Sequence, residues 1–230
     1  MTASPVGRWL FNEGSGTSTK DGYNGYTGTL TDLVASAGGT APTWITGHNG
    51  SAGTALNFDG KGGIVSVPLA DTAVLNTTSS LSVWFKTTQV GSNIGWSSPS
   101  IIGTEHQGDA NDIQWGTINS AGKIGLGLGN DVNGVYSASA VNDGNWHDLR
   151  ITRTVNADGT SAVSLYVDGA LSNSVGDAYL ISLGYFALRI AKLQRVVELA
   201  QVGWRRQFRM HAPASVFLLL ALPSPCRDET

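Results

Sequence analysis

Residues 142–169 read NDGNWHDLRITRTVNADGTSAVSLYVDG, and the spacing of their apolar residues decides the fold. Asn142-Asp143-Gly144-Asn145 is a turn signal. From Trp146 onward, alternation puts His147, Leu149 and Ile151 on one face and Trp146, Asp148, Arg150 and Thr152 on the other. The stretch Asn156–Thr160 (NADGT) has the length and chemistry of a hairpin loop. The next run sets Val163, Leu165 and Val167 against Ser164, Tyr166 and Asp168, and Asp168-Gly169 makes another tight turn. Successive side chains on a strand point to opposite faces, so His147 and Asp148 cannot form a hydrogen-bonded pair. The reading for His147 is a core-facing histidine bonded to backbone or water, not a catalytic base or a metal ligand.

The same period recurs outward in both directions. Trp9 and Phe11 share a face in PVGRWLFNE, and Leu56 and Phe58 share one in TALNFDG. SLSVWFKTT sets Leu81, Val83 and Phe85 against Ser82, Trp84 and Lys86. NDIQWGTIN sets Ile113, Trp115 and Thr117 against Asp112, Gln114 and Gly116. KIGLGLGN repeats Ile124, Leu126 and Leu128 with glycines between. Period-two alternation broken by turn residues indicates antiparallel strands with one buried face. Many such strands without a convincing helix give an all-β fold, an antiparallel two-sheet sandwich.

Composition agrees. The chain has 230 residues, 13% charged, with a formal net charge of −3 and 30 glycines. A nearly neutral chain has no bulk electrostatic attraction for nucleic acid. The single cysteine, Cys226, excludes an intrachain disulfide. The first residues, MTASPVGRW, have neither the basic nor the apolar region of a signal peptide. The apolar run Ala214–Leu222 (ASVFLLLAL) is too short to span a bilayer.

The chain changes character near residue 186. Residues 1–185 hold 29 of the glycines, 7 Lys and Arg, and 14 Asp and Glu, whereas residues 186–230 hold one glycine, 7 Lys and Arg, and 3 Asp and Glu. Leu188, Val196 and Leu199 lie at roughly helical spacing, compatible with a helix over Leu188–Val202. One reading is an interaction helix for a membrane surface or an anionic partner. The favoured reading is a sandwich domain at 5–190 followed by an atypical basic tail at 191–230, helical or disordered, that is not native to the domain, as a frameshift or run-on would produce.

Six segments together carry a resemblance: WLFNEGSGT (Trp9–Thr17), DGYNGYTGTL (Asp21–Leu30), GTALNFDG (Gly53–Gly60), SVWFKT (Ser82–Thr87), NDGNWH (Asn142–His147) and LYVDG (Leu165–Gly169). In this order and spacing, over roughly residues 6 to 185, the chain resembles the laminin-G-like jelly-roll family of the concanavalin-A-like lectin/glucanase group. The resemblance implies a jelly-roll sandwich of two curved antiparallel sheets, an extracellular or cell-surface setting, binding of glycans or glycoproteins, and often a calcium ion. The family closes on a strand resembling F-x-G-x-I-D-E-V-R-I-Y. LGYFALRI (Leu183–Ile190) could begin that closing region, but no such acidic segment follows.

Three functions compete. A glucanase of this group carries carboxylates at alternating positions, E-x-D-x-E, flanking the scissile bond. The nearest match, Ala110-Asn111-Asp112-Ile113-Gln114, has one carboxylate where two are required. No nucleophile elbow, zinc-protease motif or phosphate loop is present. The expectation is no enzyme. A carbohydrate-binding module needs exposed aromatic rings and polar side chains. Trp96, in the loop 91–100, and Glu105, Asp109 and Asp112, in the loop 105–112, are the candidates. Trp96 reads equally well as a loop plug over the end of the core, and His106 as a solvated loop residue. For calcium, an ion that takes oxygen ligands, Glu13 and Asp21 are the candidate donors, with Asn24 and Asp59 weaker; Asp59-Gly60 reads more simply as a turn. The third function is a structural or protein-interaction sandwich without a glycan site.

Overall fold

The computed structural model describes residues 7–33, 38–67, 78–92, 98–104, 113–128, 134–156, 160–176, 189–192 and 214–219. Fifteen strands and no helix are found among them: β1 (Ser18–Lys20), β2 (Thr27–Asp32), β3 (Thr43–Ile45), β4 (Ala55–Phe58), β5 (Gly63–Ser66), β6 (Ser79–Thr87), β7 (Ser100–Thr104), β8 (Ile113–Ile118), β9 (Ile124–Leu128), β10 (Gly134–Tyr136), β11 (Trp146–Val155), β12 (Ser161–Val167), β13 (Ala170–Val175), β14 (Arg189–Lys192) and β15 (Ala214–Leu219). They form an eight-stranded sheet, β1-β2-β5-β14-β7-β8-β9-β10, and a seven-stranded sheet, β13-β12-β11-β6-β15-β4-β3. Every paired neighbour is antiparallel. The fold is an all-β, two-sheet sandwich. No described helix is long and apolar enough to cross a membrane.

Register shows how alternation becomes a core. Across the eight-stranded sheet, Leu30, Val65, Ile190, Ile102, Trp115, Leu126 and Val135 occupy one continuous row. The described side chains of this row are all buried. On the other sheet, Leu81, Val83 and Phe85 of β6 oppose Ile151, Leu149 and His147 of β11, and Ile151 in turn opposes Leu165 of β12. The buried apolar side chains of both sheets interlock with Trp9, Phe11, Leu56 and Phe58 in a single core. Burying a side chain of this size stabilises the fold by about 1.5–3 kcal/mol, so the facing rows hold the sheets together.

The structure departs from the sequence reading in four places. Trp9 and Phe11 are buried, but the strand expected around them is reduced to one bridge, Trp9 to Asp21. Phe11 takes a φ of 49°, a conformation that breaks an extended run. Thr117 does not share a face with Trp115. The β8–β9 register shifts between Trp115 and Thr117, where Gly116 has a φ of 70°. This bulge inserts one extra residue, so Thr117 joins Gln114 on the opposite face and Ile118 turns into the core. Of the helix compatible with Leu188–Val202, Arg189–Lys192 form strand β14, and residues 188 and 193–202 lie outside the described residues. Finally, within the span 191–230 read as a helical or disordered tail, Ala214–Leu219 form β15, between β6 and β4 in the seven-stranded sheet, while residues 193–213 and 220–230 lie outside the described residues. A short continuous apolar run is what a central strand requires.

Candidate functional site

The Gly116 bulge builds an uncommon polar patch on the face of the eight-stranded sheet that points away from the core. Gln114 is in register with Gly127, and Gly127 with Gly134. Thr117 is in register with Gly125, and Gly125 with Tyr136. Gln114, Thr117 and Tyr136 therefore share one face around a floor of Gly125, Gly127 and Gly134. A Cβ added at Gly127 would lie 2.9 Å from Thr117 Cγ2, 3.6 Å from Tyr136 Oη and 3.8 Å from Gln114 Cβ, so the three polar side chains close over this glycine and Thr117 packs directly on its Cα. Gln114 is 4% exposed and Thr117 0%, yet Gln114 Oε1 and Thr117 Oγ1 have no hydrogen-bond partner. Leaving a buried polar group unsatisfied costs about 1–3 kcal/mol, so two oxygens of this kind on one patch call for an explanation. Burial raises the Tyr136 phenol above its ordinary value of 10.0, which keeps it protonated and able to donate.

The four candidate sugar-binding residues, Trp96, Glu105, Asp109 and Asp112, lie outside the described residues. The chain adjoining them is described. Segment 105–112 joins β7 to β8 at the paired residues Thr104 and Ile113. Segment 93–97 leads to the other end of β7, where Pro99 O accepts the Ile118 N–H. The Gln114–Thr117 patch sits between these two attachment points. Sequence reasoning misses it because alternation alone assigns Thr117 to the core. The glycine in IQWGTI is the available signal.

The calcium candidates are described. Asp21 is 3% exposed. Its Oδ1 accepts N–H groups from Arg8 at 2.6 Å and Tyr23 at 2.9 Å, and its Oδ2 accepts that of Asn24 at 2.6 Å. Glu13 Oε1 accepts the Thr19 hydroxyl and the Lys20 N–H. Calcium requires converging oxygen ligands, whereas these carboxylates converge on N–H and O–H donors. No group of three or more acidic, histidine or cysteine side chains suited to a metal occurs among the described residues. Glu13 and Asp21 therefore do not fit a calcium ion in this arrangement. Asp59 accepts the N–H groups of Thr40 and Lys61, as a turn residue does.

His147 departs from its sequence reading. It lies in register with Phe85, and Asp148 is turned away from it toward Arg150, at 2.8 Å. Its partners are nevertheless carboxylates, not backbone or water. Nδ1 is 2.8 Å from Asp168 Oδ2, and Nε2 is 3.1 Å from Asp143 Oδ1. The two aspartates come from separate turns, one before β11 and one after β12, which the β11–β12 hairpin brings together. Asp168 is fixed in turn by the Asp148 N–H at 2.9 Å. Partial burial alone would lower the imidazole pKa from 6.5, but the bonds to Asp168 and Asp143 outweigh it and raise it. Asp143 is held at about 2, chiefly by the N–H and carboxamide of Asn145 and then by His147. The signs define a window. The histidine's contribution is complete below 6.5 and is lost as pH rises through its raised folded value. The Asp143 contribution is present above 3.8 and is lost as pH falls toward 2. Stability measured by melting temperature is expected to be greatest between these limits, and His147→Ala to flatten the alkaline side of the profile. An unchanged alkaline limb in His147→Ala would refute the assignment.

An aromatic group occupies the outer face of the seven-stranded sheet. The exposed His48 stacks on Trp84 with ring centroids 4.2 Å apart and 6° between planes, and its edge meets Trp146 at 6.2 Å. His48 covers the Trp84 ring, so this group offers less open aromatic surface than its composition implies.

No family model matches the chain, and no curated protein sequence matches it. Solved structures do. Domain 4 of AbnA, a GH43 extracellular arabinanase from Geobacillus stearothermophilus, solved in complex with arabinotriose, is similar over 96% of this chain and 96% of that one, with a TM-score of 0.55 and 16% identity. The receptor binding domain of botulinum neurotoxin type G is similar over 94% of this chain and 47% of that one, with a TM-score of 0.58 and 13% identity. The binding domain of Paraclostridial Mosquitocidal Protein 1 is similar over 96% and 49%, with a TM-score of 0.58 and 11% identity. The chain spans about half the length of the two toxin domains. At these identities the likeness is one of fold.

Proposed function

We propose that this chain is a non-catalytic carbohydrate-binding module of an extracellular or cell-surface protein, and that sugar hydroxyls bind at Gln114, Thr117 and Tyr136. The observation that carries the reading is the pair of buried, unpartnered oxygens beside a protonated phenol. Sugar hydroxyls both donate and accept, which matches the need of Gln114 Oε1 and Thr117 Oγ1 for donors and of the Tyr136 hydroxyl for an acceptor. The likeness to an arabinanase domain solved with arabinotriose supports the ligand class. Trp96, Glu105, Asp109 and Asp112 belong to segments attached at either end of this patch and are proposed to complete the site. A hydrolase would need two carboxyl groups about 5–9 Å apart across the bond; the described carboxylates Glu13, Asp21, Asp59, Asp143, Asp148 and Asp168 each accept from an N–H, imidazole or guanidinium group.

The test separates binding from folding. Thr117→Val and Gln114→Leu remove the unsatisfied oxygens while keeping volume. A purely structural role predicts equal or higher melting temperatures and no effect on sugar binding. The binding role predicts equal or higher melting temperatures together with affinity for arabinotriose, or for the best glycan on an array, reduced about tenfold or more, the loss that accompanies about 1.4 kcal/mol. Wild-type protein that binds no oligosaccharide at millimolar concentration would refute the proposal and leave the protein-interaction reading.

A further inference from the structure

We propose that His147 is a pH-sensitive latch that controls the sugar-binding patch: its protonated form braces the β8–β9 hairpin in the binding geometry, and its deprotonation releases it. The inference rests on the binding reading above and concerns the regulation of that site.

A neutral imidazole carries one N–H and one lone pair, whereas an imidazolium carries two N–H groups. His147 has a carboxylate oxygen at each ring nitrogen. Only the imidazolium can donate to both. On losing a proton, one nitrogen presents its lone pair to a carboxylate, and that contact becomes repulsive. The weaker contact is the one to Asp143: it is longer, at 3.1 Å against 2.8 Å, and the other bonds of Asp143, from the Asn145 N–H and carboxamide, stay within its own turn, whereas Asp168 is tied to strand β11 by the Asp148 N–H. Deprotonation therefore removes the side-chain tie between His147 and the turn 142–145 and loosens that turn.

That turn supports the site. The Val141 N–H donates to Gly122 O at 2.9 Å, and the Gly144 N–H donates to Thr87 O at 3.0 Å. A Cβ at Gly122 would lie 2.2 Å from Asn142 Oδ1, so Asn142 rests directly on the hairpin turn. Gly122 lies in the turn that joins β8 to β9, the two strands that carry Gln114, Thr117 and most of the glycine floor. The remaining groups around His147 do not replace the latch. On β6, Phe85 meets the imidazole at 5.9 Å and Lys86 is in register with Trp146. On β11, the Asp148 carboxylate holds Arg150.

The decisive experiment follows the imidazole nitrogens of the full chain by nuclear magnetic resonance while affinity for the best-binding oligosaccharide is measured from about pH 5 to 9, with Asp143→Asn as the latch variant. The expected result is two protonated nitrogens at acid pH, faster amide exchange at Val141 and Gly144 once His147 deprotonates, and affinity falling about fivefold or more through the same transition, within the range typical of coupled sites. Asp143→Asn is expected to lower the His147 transition and to shift the affinity profile with it. Affinity that is flat across the His147 transition overturns the latch and leaves the binding reading intact. Absence of oligosaccharide binding at every pH overturns both, and unchanged exchange at Val141 and Gly144 overturns the latch whether or not sugar binds.

Discussion

Ending the chain at Lys192 is expected to abolish cooperative folding. The deletion removes β15, whose six residues pair with β6 and three of them also with β4. Without it, the seven-stranded sheet divides into β13-β12-β11-β6 and β4-β3. Each lost backbone hydrogen bond costs about 1 kcal/mol net. Several of them together approach the whole stability of a domain, about 5–15 kcal/mol. Circular dichroism should show no sigmoidal melt for the truncated chain. A truncated chain that melts like the full one would mean that residues after 192 are dispensable, as the run-on reading holds.

Asp21→Ala is expected to be among the most damaging polar substitutions in the described N-terminal region. The carboxylate satisfies three backbone N–H groups, from Arg8, Tyr23 and Asn24, and it sits in the bridge that holds Trp9. Alanine leaves all three donors without this acceptor. The expected loss is about 3 kcal/mol or more, since bonds to a charged group contribute about 1.5–3 kcal/mol each. Asp21→Asn should lie between, because its single carbonyl oxygen replaces two carboxylate oxygens. Denaturant unfolding measures both. Calcium added to a chelator-treated sample is expected to leave the melting temperature unmoved. A calcium-dependent rise that Asp21→Ala removes would restore the cation reading.

Much of the fold is legible because alternation is a local property. Leu81, Val83 and Phe85, Leu149 and Ile151, and Val163 and Leu165 each follow from spacing alone, and all are buried. What escapes depends on non-local or irregular geometry. One glycine with positive φ reverses the face of Thr117, and no count of alternating residues reveals that. The partners of His147 are separated from each other by a full hairpin. The run Ala214–Leu222 invites comparison with the thickness of a bilayer, when the relevant length is that of a strand. Residue type in loops singles out the sugar-binding candidates, whereas the patch is formed by strand residues whose significance lies in what they fail to bond.

The order of the strands also sets a timetable. The two strands nearest the C-terminal end of the described chain, β14 and β15, occupy interior places in their respective sheets. A ribosome delivers them after the other thirteen described strands, so both sheets keep open strand edges until these two have emerged. Such distant pairings make folding slow, and exposed edges invite association with other chains. This protein is therefore expected to depend on chaperone shielding during its synthesis more than a sandwich whose sheets are completed in chain order.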